Sequence, residues 1–307
     1  MPLMSPPKGA HPRAHTTKGG LMSKYAIIDC NYLCHRSFHR LSDLTYEEMK
    51  TGVIFGFFNS ILHIATKLKV KDFIFCWDSK KSFRRKDNAV YKAGRQEKRE
   101  ITPEEKESYD LAFAQFDAIR MEILPQLGFH NVFMQEGLEA DDLIAWVVKN
   151  LDMTDSYIVS ADNDLWQLLH QVRGIYQIDK KKILTEMDFV NEYGIFPNQW
   201  PEAKAIAGDR SDNIIGVEGV GIKTAVRFIK KEKIPQSKLS AIWANKQLKE
   251  DNLGLIVLPY YKTQEINLNG GDKLDMFQFE NVCFHYGFRS FLQKDKYNEW
   301  RKAFGLI

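Results

Sequence analysis

Three short apolar runs in this chain each close on an aspartate: Tyr25-Ala-Ile-Ile-Asp29, Asp72-Phe-Ile-Phe-Cys-Trp-Asp78 and Ser156-Tyr-Ile-Val-Ser-Ala-Asp162. Each has the length and the β-branched or aromatic content of a buried strand, and segments with helical periodicity separate them. Such alternation predicts an α/β fold with a central, mostly parallel sheet and flanking helices. Ligands of parallel sheets bind beyond the carboxyl ends of the strands, so an Asp at three strand ends places three carboxylates on one rim.

More acids fall where the same rim can collect them: Glu139-Ala-Asp141-Asp142, then Asp164 two residues past Asp162, then Gly208-Asp209-x-x-Asp212. Carboxylates packed together repel and raise one another's pKa unless a cation neutralises them. An all-oxygen donor set with no Cys or His interleaved favours Mg²⁺ or Mn²⁺ over Zn²⁺. A helix beginning near Leu138 would put Glu139 and Asp142, three residues apart, on one face and leave Asp141 to one side. Asp164 has a second reading as a helix-start acid, favoured by capping and by the helix dipole.

At 307 residues, 44% hydrophobic and 27% charged, the composition is that of a soluble globular protein. The formal charge of +3 is too small to attract a polyanion by itself, so attraction must come from clustering. Between Lys80 and Arg99 stand nine Lys or Arg against two acids, Asp87 and Glu97. Alone this reads equally as a solvated loop; beside the carboxylate rim it reads as a guide for a phosphodiester backbone, with Tyr91 available to stack on a base. Cys30, Cys34, Cys76 and Cys283 lack metal or disulfide-scaffold spacing and read as reduced thiols of a cytoplasmic protein. No stretch reaches the roughly 18 apolar residues needed to span a bilayer.

Three regions are expected: a disordered Pro/Gly/Lys/His-rich leader over 1–22, an α/β unit over 23–195, and a helical region over 196–307. In the last, a glycine hairpin over 216–221 leads into a helix from Lys223 that also carries Arg227, Lys230 and Lys231. Close-set glycines let backbone groups approach a phosphate or a cation, and a helix N-terminus favours phosphate. The aromatics beyond residue 236, including Trp243, Phe277, Phe279, Phe284, Tyr286 and Trp300, read as core rather than base-stacking residues.

Together these segments resemble the 5′-nuclease superfamily of flap endonucleases and 5′-3′ exonucleases, especially the bacteriophage and bacterial branch related to the nuclease domain of bacterial DNA polymerase I. The motifs that carry the resemblance are Ile28-Asp29-Cys30-Asn31-x-Leu33-x-x-Arg36-x-Phe38, with Cys30 in place of the usual glycine; Trp77-Asp78 with Phe83-Arg84-Arg85 and Tyr91-Lys92-Ala93-Gly94-Arg95; Glu139-Ala-Asp141-Asp142; Asp162-x-Asp164; and Asp209-x-x-Asp212-Asn213-Ile214 with its hairpin.

The resemblance implies a PIN-like 5′-nuclease fold, a helical arch over about 79–110 that passes a single strand, and a helix-three-turn-helix element that grips duplex DNA. It implies two Mg²⁺ ions, replaceable by Mn²⁺ and roughly 3.5–4 Å apart. Asp29, Asp78, Glu139 and Asp141 would hold one, with Asp142 close by; Asp162, Asp164, Asp209 and Asp212 would hold or position the second. Lys92 and Arg95 are assigned to the scissile phosphate, Arg36, Phe38, Arg84, Tyr91, Gly219, Gly221 and Lys223 to DNA, and the carbonyls of Gly216, Val217 and Val220 to a K⁺ ion. The implied protein hydrolyses DNA bearing a 5′ flap or a 5′ single-stranded end, in replication or repair; contacts to phosphate and shape leave little base preference, and a monomer is the default expectation. A binding module that has lost its chemistry would lack some of these carboxylates or Lys92, and a small PIN-type ribonuclease would lack the hairpin and the Tyr-Lys-x-x-Arg arch.

Overall fold

A computed structural model describes residues 24–93 and 102–307. Ten strands occur in it: β1 Tyr25–Asp29, β2 Thr45–Tyr46, β3 Met49–Lys50, β4 Asp72–Cys76, β5 Val132–Phe133, β6 Tyr157–Val159, β7 Gly174–Gln177, β8 Lys182–Leu184, β9 Gly208–Asp209 and β10 Ile214–Ile215. Six form the central sheet in the order β5-β4-β1-β6-β7-β8. All neighbours pair in parallel except β7 with β8. The chain fills the sheet leftward from β1 and then returns to its right. The ends of β4, β1 and β6 therefore flank a topological switch point.

Side chains alternate across the strands and so divide the interior in two. Ala26, Ile28, Phe73 and Phe75 face a core shared with the helices Cys30–Leu41, Gly52–Leu68 and Pro103–Ala118. Ile27, Ile74 and Cys76 face the other, shared with the helices Ala140–Asn150, Trp200–Ala207 and Ile222–Ile229. Thr102, Pro103 and Glu105 start the Pro103–Ala118 helix with a complete capping box. All four cysteines are free and buried.

The division expected at residue 195 does not separate two cores. Phe189, Ile195, Trp200 and Ala203 lie in one apolar cluster that spans it, whereas Leu274, Phe279, Phe291, Trp300 and Phe304 pack in the other, against the first face of the sheet. Apolar residues on both sides of position 195 need the same sheet for burial. Phe279 and Trp300 are core as expected, but Trp243, Phe277 and Phe284 are 65%, 68% and 67% exposed. The leader and residues 94–101, with Gly94 and Arg95, lie outside the described residues.

Candidate active site

Asp29 is the last residue of β1 and the N-cap of the helix Cys30–Leu41, its carboxylate accepting from Tyr32 N–H at 3.0 Å. Ser160 Oγ donates to its other oxygen at 2.8 Å. Asp78 lies two residues beyond β4 and accepts from Ala140 N–H at 2.7 Å, in the first turn of the helix Ala140–Asn150. Asp162, three residues beyond β6, accepts from Asp164 N–H at 2.8 Å. With Glu139 and Asp141 these three carboxylates line one cavity of about 940 Å³, walled also by Tyr32, Trp77, Lys80, Lys81, Arg85 and Lys92.

The helix Ala140–Asn150 turns its acids differently from the simple face argument. Glu139 is its N-cap and Asp142 its third residue, and the two close a capping box in which Asp142 accepts from Glu139 N–H at 3.1 Å. That interaction bends Asp142 back into the protein. It is fully buried and holds Arg84 in a two-pronged ion pair, 2.7 Å on each side, while also accepting from Tyr260 N–H at 2.8 Å. Asp141, expected to stand aside, is the one that faces the cavity.

Two lysines serve the remaining acids. Lys92 Nζ lies 2.7 Å from Glu139 and 3.7 Å from Asp212. Its backbone has a left-handed φ of 55°, as does Asn213 at 57°, a conformation that costs a non-glycine residue about 1–2 kcal/mol. Mutual ties hold both: Lys92 N–H donates to Asp212 O at 2.8 Å and Asn213 Nδ2 to Val90 O at 2.9 Å. Lys204, on the helix Trp200–Ala207, bridges Asp164 and, at 2.6 Å, Asp209, and reaches Asn163 Oδ1 at 2.9 Å. Nothing in the acid spacing pointed to Lys204. Its signal is a lone lysine in Trp-Pro-Glu-Ala-Lys-Ala-Ile-Ala, five residues before Asp209.

The two lysines do not offset all of the acids. Burial, with repulsion from Asp78, pushes Asp29 up to about 7. Partial loss of solvent does the same to Asp78, up to about 6, although the residue stays exposed on the cavity side and accepts the Ala140 bond. Asp141 is raised well above the carboxylate range by burial and by Asp162, Asp29, Asp164 and Asp78. Burial also carries Asp164 to about 6 against the pull of Lys204. Glu139 goes the other way, because Lys92 and Arg84 outweigh its burial. Buried carboxylates that lack a partner need a proton or a cation. Among the described residues no three His, Cys, Asp or Glu side chains are drawn together as a ready ion cage. The acids instead line a roomy wall, which suits an ion that keeps several of its waters.

Several assigned DNA contacts lie elsewhere than expected. Arg84 is 2% exposed and spent on Asp142, and Tyr91 is 4% exposed with its hydroxyl donating to Glu139 and Asp212, each at 3.2 Å. Neither is available to a base or a phosphate, because each satisfies a buried carboxylate. Arg36 is paired with Asp179 at 2.7 Å, and Phe38 is half-buried against Tyr109. Around the hairpin, Lys223, Arg227, Lys230 and Lys231 are exposed on and just beyond the helix Ile222–Ile229, with Gly221 as its N-cap. Gly219 has φ 68°, and a Cβ on Gly216 would strike the Ala207 backbone. The Val217 carbonyl accepts from Val220 N–H at 2.9 Å.

Residues 24–194 match the family described as 5′-3′ exonuclease, N-terminal resolvase-like domain. The thermostable DNA polymerase I of Thermus thermophilus is 34% identical over 208 residues, 66% of this chain and 23% of that protein, so the match spans about a quarter of that relative. A 5′-3′ exonuclease of Buchnera aphidicola subsp. Schizaphis graminum is 32% identical over 67% of this chain and 69% of its own length. Among solved structures, a variant flap endonuclease of bacteriophage T5, in a pseudo-enzyme-product complex with DNA and metal ions, superposes with a TM-score of 0.64 at 25% identity, covering 78% of this chain and 90% of that one. By sequence match and by fold, the chain belongs to the 5′-3′ exonuclease family.

Proposed function

We propose that this protein is a structure-specific, Mg²⁺-dependent 5′ nuclease that hydrolyses DNA phosphodiesters at 5′ flaps and 5′ ends. The observation that carries the reading is the set of five carboxylates on one cavity wall at the switch point of the sheet, three of them raised in pKa, with Lys92 held beside them. Asp29, Asp78, Glu139, Asp141 and Asp162 are the residues that would hold divalent ions. Asp164 and Asp209, already bridged by Lys204, would act from behind. Divalent ions bound there supply an activated water and a counter-charge for the leaving oxygen.

The protein's own part is positioning and charge. Lys92 sits at the junction of Glu139 and the cavity, so a phosphate entering there meets an ammonium already fixed in place. Lys80, Lys81 and Arg85, the first two paired with Asp117 and Glu136, continue the lining outward where a strand would enter. Exposed Lys223, Arg227, Lys230 and Lys231 form a second basic surface suited to duplex backbone. Because these groups meet phosphate and shape, base preference should be slight. A monovalent ion on the Gly216, Val217 and Val220 carbonyls, a monomeric state, and a place in replication or repair belong to the same reading.

The test compares a 5′-flap DNA, a single-stranded RNA and an RNA–DNA hybrid, each with and without Mg²⁺. Mg²⁺-dependent release of the flap is expected. Cleavage of the RNA alone, or binding of the flap without any cleavage, would overturn the proposal.

A further inference from the structure

Lys92 stands on a backbone conformation that lysine does not favour, tied at that end to Asp212, and the arm that carries it is tied again at its other end. That arm begins with the short helix Phe83–Asp87. At its start Phe83 N–H donates to Gly137 O at 2.8 Å, and the Phe83 ring covers Gly137 so closely that a Cβ there would collide with it. Arg84 donates to both oxygens of Asp142 and to Leu255 O at 3.0 Å. At the end of the helix one oxygen of Asp87 gathers three donors from one stretch of chain: Tyr260 Oη at 2.6 Å, Tyr261 Oη at 3.1 Å and Lys262 Nζ at 2.7 Å.

Tyr260 is the hinge pin of this arrangement. Its N–H binds Asp142, its ring lies 4.6 Å from the Arg84 guanidinium, and its hydroxyl binds Asp87. Lys262 closes the outer edge, 4.8 Å above the Phe83 ring. Asp142 in turn caps the helix that presents Glu139 and Asp141. The contacts thus form a ring: Asp87 to Tyr260, Tyr260 to Asp142, Asp142 to the Glu139 backbone, Glu139 to Lys92, and Lys92 back along residues 88–91 to Asp87.

We infer that the segment 255–262 is a clamp that fixes the arm 83–92 against the carboxylate helix. Asp87, which the clamp grips, and the clamp's own Tyr260 and Lys262 act as positioning residues for Lys92. The inference rests on the proposed nuclease reading. None of the three lines the cavity, so each acts on the reaction only through the arm. Asp87 and Lys262 are about one-third exposed at the outer end of the ring, where the pair can be altered without opening the core.

The test is a rate cycle on 5′-flap DNA at saturating Mg²⁺ with wild type, Asp87→Asn, Lys92→Ala and the double variant. A misplacement of about 1 Å can cost ~10² in rate, so a slackened arm should lower kcat by about tenfold or more with KM changed less than about twofold. Lys92→Ala alone should lose about 10²–10³. If Asp87 works through Lys92, the double variant matches Lys92→Ala within about twofold, because there is no longer an ammonium to place. Multiplied losses, or a wild-type kcat for Asp87→Asn, would overturn the clamp. Should Asp87→Asn fail to fold, Tyr260→Phe, which removes one hydroxyl, carries the same cycle with the same expected outcomes. A wild-type protein that leaves flap DNA intact would refute the nuclease reading itself, whereas a cleaving wild type with multiplied losses refutes the clamp alone.

Discussion

Lys204→Met is the substitution whose effect the site geometry fixes most tightly. Methionine keeps the apolar stem of a side chain that is only 6% exposed and removes the ammonium that bridges Asp164 and Asp209. Breaking a buried ion pair on one side costs about 3–5 kcal/mol, since the other partner is left charged and dry. Part of that sum can be traced to Asp209. Burial pushes its pKa up, but hydrogen bonds from Lys204 and Ser211 hold it at about 2, against a usual 3.8. That difference corresponds to roughly 2 kcal/mol at neutral pH. In wild type this contribution is complete above the unfolded pKa and is lost as pH falls through about 2.

In the variant both acids should have raised values, so the native state takes up protons that the unfolded chain does not hold. The deficit should therefore shrink as pH falls from 8 to 5.5. Urea unfolding at these two pH values, without divalent ions, reads the effect directly. At about 2 °C per kcal/mol for a protein of this size, thermal unfolding at pH 8 should drop by about 6–10 °C. A loss below about 1 kcal/mol at both pH values would show that Lys204 does not carry the charge of this cluster.

Asp142→Leu should cost about 3–5 kcal/mol and Arg84→Met a similar amount, while the double variant recovers only part of the loss, because the pair is enclosed but Asp142 also serves the N–H groups of Glu139 and Tyr260. A metal ligand would instead lose divalent affinity with little loss of stability, and calorimetric titration alongside urea unfolding separates the two outcomes. With Asp29 near 7 and Asp78 and Asp164 near 6, protons compete with the divalent ion. The Mg²⁺ concentration for half-maximal cleavage should rise as pH drops from 8 to 6, by about tenfold per pH unit for each proton displaced, and saturating Mg²⁺ should restore the rate. Lys223→Ala with Arg227→Ala should weaken duplex binding similarly for all sequences and lower the slope of log affinity on log salt by about 2, measured by fluorescence anisotropy.

The strand-terminal aspartates were legible because period and position carry the information: Asp29, Asp78 and Asp162 each follow an apolar run that only a buried parallel strand explains. The roles of Asp141 and Asp142 were not, because an i,i+3 rule describes the middle of a helix and these residues occupy its first turn. There the third residue folds back to cap the end. Arg84 was hidden in a basic run whose other described members are mostly exposed; what buries it is Tyr260, more than 170 residues away in sequence. Lys204 was hidden for the converse reason, a single charge in an apolar helix, where partners become visible only once the chain has folded.

The central claim, that a crowded carboxylate wall serves cation-dependent hydrolysis, is tested most directly by Asp141→Asn. Asp141 is surrounded by four other carboxylates that raise its pKa, with burial the larger cause. Neutralising it should raise the Tm of the protein in the absence of divalent ions while lowering Mg²⁺-dependent cleavage of a 5′-flap DNA by about 10²–10³ or more. A variant that cleaves at the wild-type rate, or one that loses stability instead of gaining it, would contradict the account.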